Sequence, residues 1–265
     1  MGSYEFLKAW REQQFTVASP DVSVNEEALE NALQAGEPLI TLVPPVIPAD
    51  GFASALAVVA GLLAEHQDDE AAAARAAAVK TAIQRAGSAE REMLVHAVLG
   101  GDGLDQWAAA RSLPSELLTT LASLAIQPFM ARHAAALAEA APLSLWRQNV
   151  CPVCGSGADV CRIDPDNMRH LHCPTCDTQW EHHRLSCPTC NTDDVKKVNL
   201  LTLEDLKPWR VEVCDACGGY IKTLDQRHGG LLARPKVDLF LEDARTLQLD
   251  VLAEEQGYRR GGRVQ

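Results

Sequence analysis

Apolar positions recur at helical spacing through roughly the first 140 residues, and then that period stops. Phe6, Leu7, Trp10 and Phe15 outline a short amphipathic helix over residues 4–16. Asn25–Gln34 reads as a second helix, with Gly36 as its stop. Pro38, Pro44, Pro45 and Pro48 bracket the apolar run Leu39–Val43, and proline at that density forbids regular helix. The run is therefore expected to be an extended connector packed on its own domain. A strip for a partner is the rarer reading, because exposed apolar strips are uncommon. From Asp50 the pattern is helical and alanine-rich. Phe52, Leu56, Val59 and Leu63 share one stripe, and Asp68–Arg85 follows with small residues that permit close packing. Gly87 ends that helix, Ser88 caps the next, and Gly100 and Gly101 close it. A short helix carries Leu104 and Trp107. Pro114 and Ser115 open a long one that reaches Ala141, interrupted or bent at Pro128. Residues 1–145 are thus expected to form an all-helical domain.

At Pro142 the character changes to short β-type segments: Met168–His172, Gln179–Arg184, Val195–Leu203, Arg210–Val213 and Tyr220–Thr223. A final helix is expected over Val237–Glu255, followed by a frayed tail over Gly257–Gln265.

Four Cys-x-x-Cys pairs punctuate this second half: Cys151/Cys154, Cys173/Cys176, Cys187/Cys190 and Cys214/Cys217. Two such turns complete a tetrahedral shell of four thiolates around one ion. Eighteen residues separate the first two pairs and 23 the last two, both familiar loop lengths in metal ribbons. The residue after each inner cysteine is Gly155, Asp177, Asn191 or Gly218, the types that enter the left-handed region most cheaply. Pro152, Pro174 and Pro188 fix the turn that follows the first cysteine. Pairing neighbours closes two compact modules: Cys151, Cys154, Cys173 and Cys176 on one ion, and Cys187, Cys190, Cys214 and Cys217 on another. All-thiolate shells suit zinc or a single iron. Modules this small lack a core of their own, so metal binding supplies folding energy. Disulfide scaffolding is the competing use of paired cysteines. It belongs to secreted chains, and the opening Met1-Gly2-Ser3-Tyr4-Glu5 has neither a basic stretch nor an apolar run.

Cys161, the ninth cysteine, reads as a small buried hydrophobe. Trp180 and Trp209 are expected to shield the sulfurs. His170, His172, His182 and His183 are expected around the shells rather than in them, and His66, His96 and His133 as packing or surface residues. The net charge is −12; residues 1–150 hold 9 basic and 18 acidic side chains, residues 151–265 hold 15 and 18. No basic block is present, which disfavours nucleic acid as a partner. The apolar stretch Leu117–Met130 is too short to span a bilayer. A shell closed by four thiolates leaves no vacancy for substrate, and no nucleophile–base set or phosphate loop is visible, so catalysis is not expected.

The runs Cys151-Pro-Val-Cys154-Gly-Ser, Arg169-His-Leu-His-Cys173-Pro-Thr-Cys176-Asp-Thr-Gln-Trp180, Arg184, Cys187-Pro-Thr-Cys190 and Cys214-Asp-Ala-Cys217-Gly-Gly-Tyr220-Ile-Lys222 resemble the formate dehydrogenase accessory protein family, FdhE. The closing segment from Asp238 through Asp243 and Asp250 to Tyr258 is similar to that family's last helix, as is the proline-rich connector. The resemblance covers about 151–260, and relative to the family the chain is expected to start late, without a longer leader. It implies an α+β protein: an N-terminal all-helical domain (1–145), two small rubredoxin-like or zinc-ribbon modules (146–185 and 186–230), and a C-terminal helix with its tail (231–265). It also implies a cytoplasmic, non-catalytic helper that binds the catalytic subunit of a respiratory formate dehydrogenase. The eight paired cysteines would hold iron in two mononuclear sites, with zinc as the alternative. A rubredoxin-like electron carrier and a zinc-ribbon nucleic-acid-binding protein are the competing classes.

Overall fold

A computed structural model of the chain describes residues 2–13, 15, 17, 25–228 and 237–261. They divide into two compact units: one from the described residues of 1–20 and 45–133, the other from those of 21–44 and 134–265.

The first unit is helical. It holds α1 (Gly2–Arg11), then α3 (Ala49–Glu65), α4 (Glu70–Arg85), α5 (Ser88–Val98), α6 (Leu104–Ala109) and most of α7 (Ser115–Ala140). With α2 (Glu26–Ala35) the described residues before 145 form seven helices, one for each helical stretch read from the pattern. Phe52, Leu56 and Val59 are fully buried as the stripe predicts, whereas Leu63 is half-buried. Small residues let α3 and α4 approach closely, with Ala60 and Gly61 on one and Ala76, Val79 and Ile83 on the other all buried. The α5 cap differs from expectation: Gly87 rather than Ser88 stands at the N-cap, where its N–H donates to Glu90 Oε2 at 3.0 Å. Pro128 does not interrupt α7, which runs on to Ala140.

The second unit is built on a sheet. Its strands are β1 (Val160–Ile163), β2 (Arg169–His172), β3 (Gln179–His182), β4 (Val198–Leu201), β5 (Trp209–Cys214), β6 (Gly219–Asp225) and β7 (Arg259–Arg260). The order is β3-β2-β1-β6-β5-β4, with β7 also on β6. β1 lies parallel to β6, pairing Val160 with Lys222 and Ile163 with Asp225, so strands of both cysteine-rich segments belong to one sheet. The strand over 160–163 carries only four residues and was not expected from the pattern.

Strand alternation sorts the side chains. One face presents Val160, Trp209, Val211, Val213, Tyr220 and Leu224 to α8 (Leu239–Arg245) and α9 (Leu247–Glu255), whose Leu239, Leu249 and Ala253 complete a core. The other carries Cys161, Arg169, Leu171, Glu212 and Thr223. Lys222 alternates onto the helix-covered face and is 0 % exposed. Its ammonium donates to the carbonyl of Asp243 at 2.7 Å and reaches the carboxylates of Asp243 and Asp250 at 2.8 and 2.6 Å.

That lysine explains why the single helix expected over Val237–Glu255 breaks into two. The Asp243 carbonyl is taken by Lys222 and by the Thr246 hydroxyl at 3.1 Å, and Thr246 leaves the helical region at φ −113°, ψ 32°. The expected fraying is also corrected: Arg259–Arg260 pair with Gly219–Tyr220, and Arg260 forks onto Asp243 at 2.9 and 2.7 Å. The rest of that expected tail, residues 262–265, lies outside the described residues, as do the expected boundary at 230/231 and positions 14 and 16 of the first helix.

The proline-bracketed segment is not extended. Leu39–Thr41 form a 3-10 turn within the second unit, and the N–H groups of Leu39 and Ile40 donate to the carbonyls of Pro152 and Val153 at 2.9 and 2.8 Å. The segment thus braces the first Cys-x-x-Cys turn. Asn25, expected as the first helical residue, instead caps α2 by accepting from Glu27 N at 3.0 Å, and Gly36 (φ 77°) ends it as the sequence suggests.

Candidate metal centres

All four Cys-x-x-Cys segments adopt one local structure. In each, the N–H after the inner cysteine returns to the carbonyl of the first: Gly155 to Cys151, Asp177 to Cys173, Asn191 to Cys187 and Gly218 to Cys214, at 2.8 to 3.0 Å. Those four residues have φ of 77, 60, 60 and 68°, the left-handed region their side chains make affordable. The closed turn leaves two sulfurs on the same side. Further N–H groups point at sulfur in the second group, Thr189 at Cys187 and Gly219 at Cys217, both at 3.4 Å.

The sulfurs gather as neighbouring pairs. Cys151, Cys154, Cys173 and Cys176 lie within 4.8 Å of one another, and so do Cys187, Cys190, Cys214 and Cys217. Across the first group Cys151 is 3.5 Å from Cys176 and Cys154 is 3.4 Å from Cys173. Across the second, Cys187 is 4.0 Å from Cys217 and Cys190 is 3.9 Å from Cys214. A tetrahedron with metal–sulfur bonds of about 2.3 Å has edges of about 3.8 Å, which these separations bracket. A disulfide needs about 2.05 Å. Two four-cysteine clusters that could hold metal ions are therefore assembled, and the all-sulfur donor set fits zinc or mononuclear iron equally.

The clusters differ in access. Cys151, Cys173 and Cys176 are at most 1 % exposed, whereas Cys190 is open to solvent. Hydrogen bonding to Cys151 pulls the Cys154 thiol well below its usual range and pushes Cys173 and Cys176 well above it, so without a cation the first group shares its protons. Burial pushes Cys187 up to about 11. A metal would replace those protons by charge.

The histidines stand around the shells. His172, buried beside Cys173, is held at both ring nitrogens, by Asp159 at 2.9 Å and by Asp177 at 2.8 Å. Asp177 is also the left-handed residue of the second turn, so this pair locks that turn's shape. His182 at the end of β3 meets Asn191 of the third turn at 3.1 Å, and Asn149 donates to the Thr189 carbonyl at 2.6 Å. These two contacts tie the clusters together. His170 pairs with Asp164 at 2.8 Å. Cys161 is fully buried, 3.0 Å from the Thr223 hydroxyl, and burial pushes its thiol up to about 11, as befits an inert packing residue. Trp180 is buried and donates to the Gln148 carbonyl at 3.2 Å. Trp209 does not shield sulfur: it belongs to the helix-covered core, at the far end of β5 from Cys214. The sequence reading does not anticipate the bracing by Leu39 and Ile40 or the Asp159–His172–Asp177 relay. His172 before Cys173 and Asp177 after Cys176 were the available signal.

The relay has a pH signature. Burial alone would lower the His172 pKa, but hydrogen bonds to Asp159 and Asp177 outweigh it and raise it to about 9. A folded pKa above the unfolded 6.5 means stabilisation that is complete below about pH 6.5 and disappears as pH rises through 9, worth about 3 kcal/mol. A shell of four thiolates on a divalent ion would favour the charged imidazole further, whereas the shell's own stability falls as pH drops and its thiolates are protonated. Melting curves of wild type and His172→Asn should differ most near pH 6 and converge near pH 9.5; a gap that does not narrow would refute the relay.

Comparison with known proteins agrees with this geometry. Residues 150–184 match the central domain of FdhE and residues 185–264 its C-terminal domain. An FdhE homolog from Edwardsiella ictaluri is 32% identical over 183 residues, 67% of this chain and 54% of that protein. An Escherichia coli protein FdhE is 32% identical over 118 residues, 43% of this chain and 36% of that protein. The chain thus spans about half or less of the length of these curated relatives. The crystal structure of the FdhE protein from Pseudomonas aeruginosa shares the fold, with a TM-score of 0.60 at 22% identity, covering 98% of this chain and 84% of that one. Among the described residues no helix is long and apolar enough to cross a membrane. Residues 150–264 thus carry the central and C-terminal domains of the FdhE family, on a fold shared with a solved FdhE protein.

Proposed function

We propose that this chain is a cytoplasmic maturation factor that binds the catalytic subunit of a formate dehydrogenase and is needed for its activity. The observation that carries this reading is the assembly of both four-cysteine clusters inside the two matched FdhE domains. Cys151, Cys154, Cys173 and Cys176 hold one ion, and Cys187, Cys190, Cys214 and Cys217 the other. Iron is the proposed metal, with zinc as the alternative. The closed thiolate shells act by holding loops and short strands in shape rather than by binding substrate, so the chain works as a surface and not as an enzyme. The sheet-containing half, residues 146–230, is the proposed docking face, and the helical half through residue 145 a separately folding domain.

A tagged chain expressed in cells respiring with formate is expected to retain the formate dehydrogenase catalytic subunit on purification, and cells lacking the protein to lose formate oxidation. Normal activity in those cells together with no retained subunit would refute the proposal. The exposure of Cys190 favours a second reading for that cluster alone, a one-electron iron site. Zinc-only content in purified protein would eliminate it.

A further inference from the structure

A second polar feature lies apart from the eight paired cysteines. Strand alternation puts Arg169 of β2 and Arg210 and Glu212 of β5 on the sheet face not covered by α8 and α9, together with Val198 and Leu200 of β4. They line a cavity of about 260 Å³, with Arg184 and Arg227 completing its cationic wall. Arg169 is 2 % exposed and already committed to Glu212 and to the carbonyl of Ser186 at 2.7 Å. Arg210 and Arg227 share Asp225, each at 2.6 Å. Four guanidinium groups thus face two carboxylates, a surplus of two positive charges. The Nε atoms of Arg169, Arg184 and Arg210 are all buried without a partner. Arg184 makes no hydrogen bond or ion pair to any described residue. Its pKa is lowered by burial, partly offset by Glu212, with Arg169, Arg210 and Arg227 adding to the lowering. Buried donors left unpaired and unopposed charge are both costly, and a bound anion relieves both.

We propose that this cavity is a carboxylate-binding site, taking one carboxylate on a short aliphatic stem, with Arg184 as the group that meets it. The planar fork of arginine matches a carboxylate bidentately. The volume suits a single such group rather than a large ligand. The rim supplies the apolar half of the recognition, since Leu185, Val195 and Leu200 are each more than half exposed around the opening. That lining disfavours a polyphosphate, which carries no apolar stem. The carboxylate can come from a free small acid or from an acidic side chain flanked by apolar residues in an extended partner segment. The proposal does not depend on which metal the cysteines hold or on the identity of the enzyme partner.

Calorimetric titration of the full, metal-loaded chain tests it with two probes: isovalerate as a free acid, and acetyl-Ala-Leu-Glu-Leu-Ala-amide as a side-chain carboxylate. At least one is expected to bind, and Arg184→Gln to weaken that binding about 10-fold or more. The glutamine version of the peptide should not bind. Binding of the peptide alone identifies a chain segment as the source, and binding of isovalerate a free acid. Arg184→Gln should leave the melting temperature unchanged, because the side chain is half-exposed and contributes no bond to the fold. No binding of either probe, unchanged affinity in Arg184→Gln, or tighter binding of inorganic phosphate than of both would overturn the assignment.

Discussion

Replacing Cys173 and Cys176 together with serine is expected to lower the metal content from two ions per chain to at most one and to abolish the native folding transition of the sheet unit. These two sulfurs are buried at 0 and 1 %, and the turn they form is locked by Asp177 and His172. Metal binding in small cysteine sites contributes on the order of 10 kcal/mol to folding, comparable to the whole stability of a typical domain. The damage should spread through the sheet, because β2 pairs with β1 and β1 with β6, which leads into the second cluster. Helical signal from the described residues of 45–133 should persist, since Phe52, Leu56, Val59 and Ile83 form a core within that unit. Metal analysis with thermal melts of far-ultraviolet circular dichroism decides the matter. Two ions retained in the double variant would remove the assignment of these cysteines as ligands. The same physics orders metal loss: a chelator should strip the cluster with exposed Cys190 before the buried one.

Lys222→Met should be the most damaging single change away from the cysteines. Methionine fills a similar volume but leaves the carboxylates of Asp243 and Asp250 facing each other beneath α8 and α9, with Arg260 and the Tyr220 hydroxyl as their remaining partners among the described residues. Removing one partner of a buried ion pair costs about 3–5 kcal/mol, and in a unit of this size that lowers the melting temperature by on the order of 10 °C. Arg260→Gln should cost much less, because Arg260 is 36 % exposed and solvent screens its charge. Burial alone would raise the pKa of Asp250, but hydrogen bonding to Lys222 and the charge of Arg260 outweigh it and hold the carboxyl below its usual range. Its stabilisation is present above the unfolded value of about 3.9 and is lost as pH falls, so the variant's acid limb should be flatter than that of wild type. A melting temperature within 2 °C of wild type, by ordinary experimental scatter of about that size, would show the cluster to be dispensable.

Local rules were legible in the sequence wherever the structure obeys them locally. Gly36, the stripe of Phe52, Leu56 and Val59, and the left-handed Gly155, Asp177, Asn191 and Gly218 act over three or four residues, within reach of propensity and turn chemistry. The spacing of the cysteine pairs also reported which pairs meet, because the intervening loops are short. Trp209 was misread as a cover for sulfur because an aromatic near a Cys-x-x-Cys pair in sequence can sit a whole strand away from it.

What the sequence determined by itself was therefore the helical first half, the four Cys-x-x-Cys turns and their grouping. The tertiary structure decided the rest. Leu39 and Ile40 reach Pro152 and Val153 across more than a hundred residues, β1 joins β6 across sixty, and Arg169 finds Glu212 across forty-three. Such contacts depend on strand register and on which face a side chain alternates to. A one-residue shift would turn Lys222 away from Asp250 and Arg169 away from Glu212, and no local pattern in the chain encodes that choice.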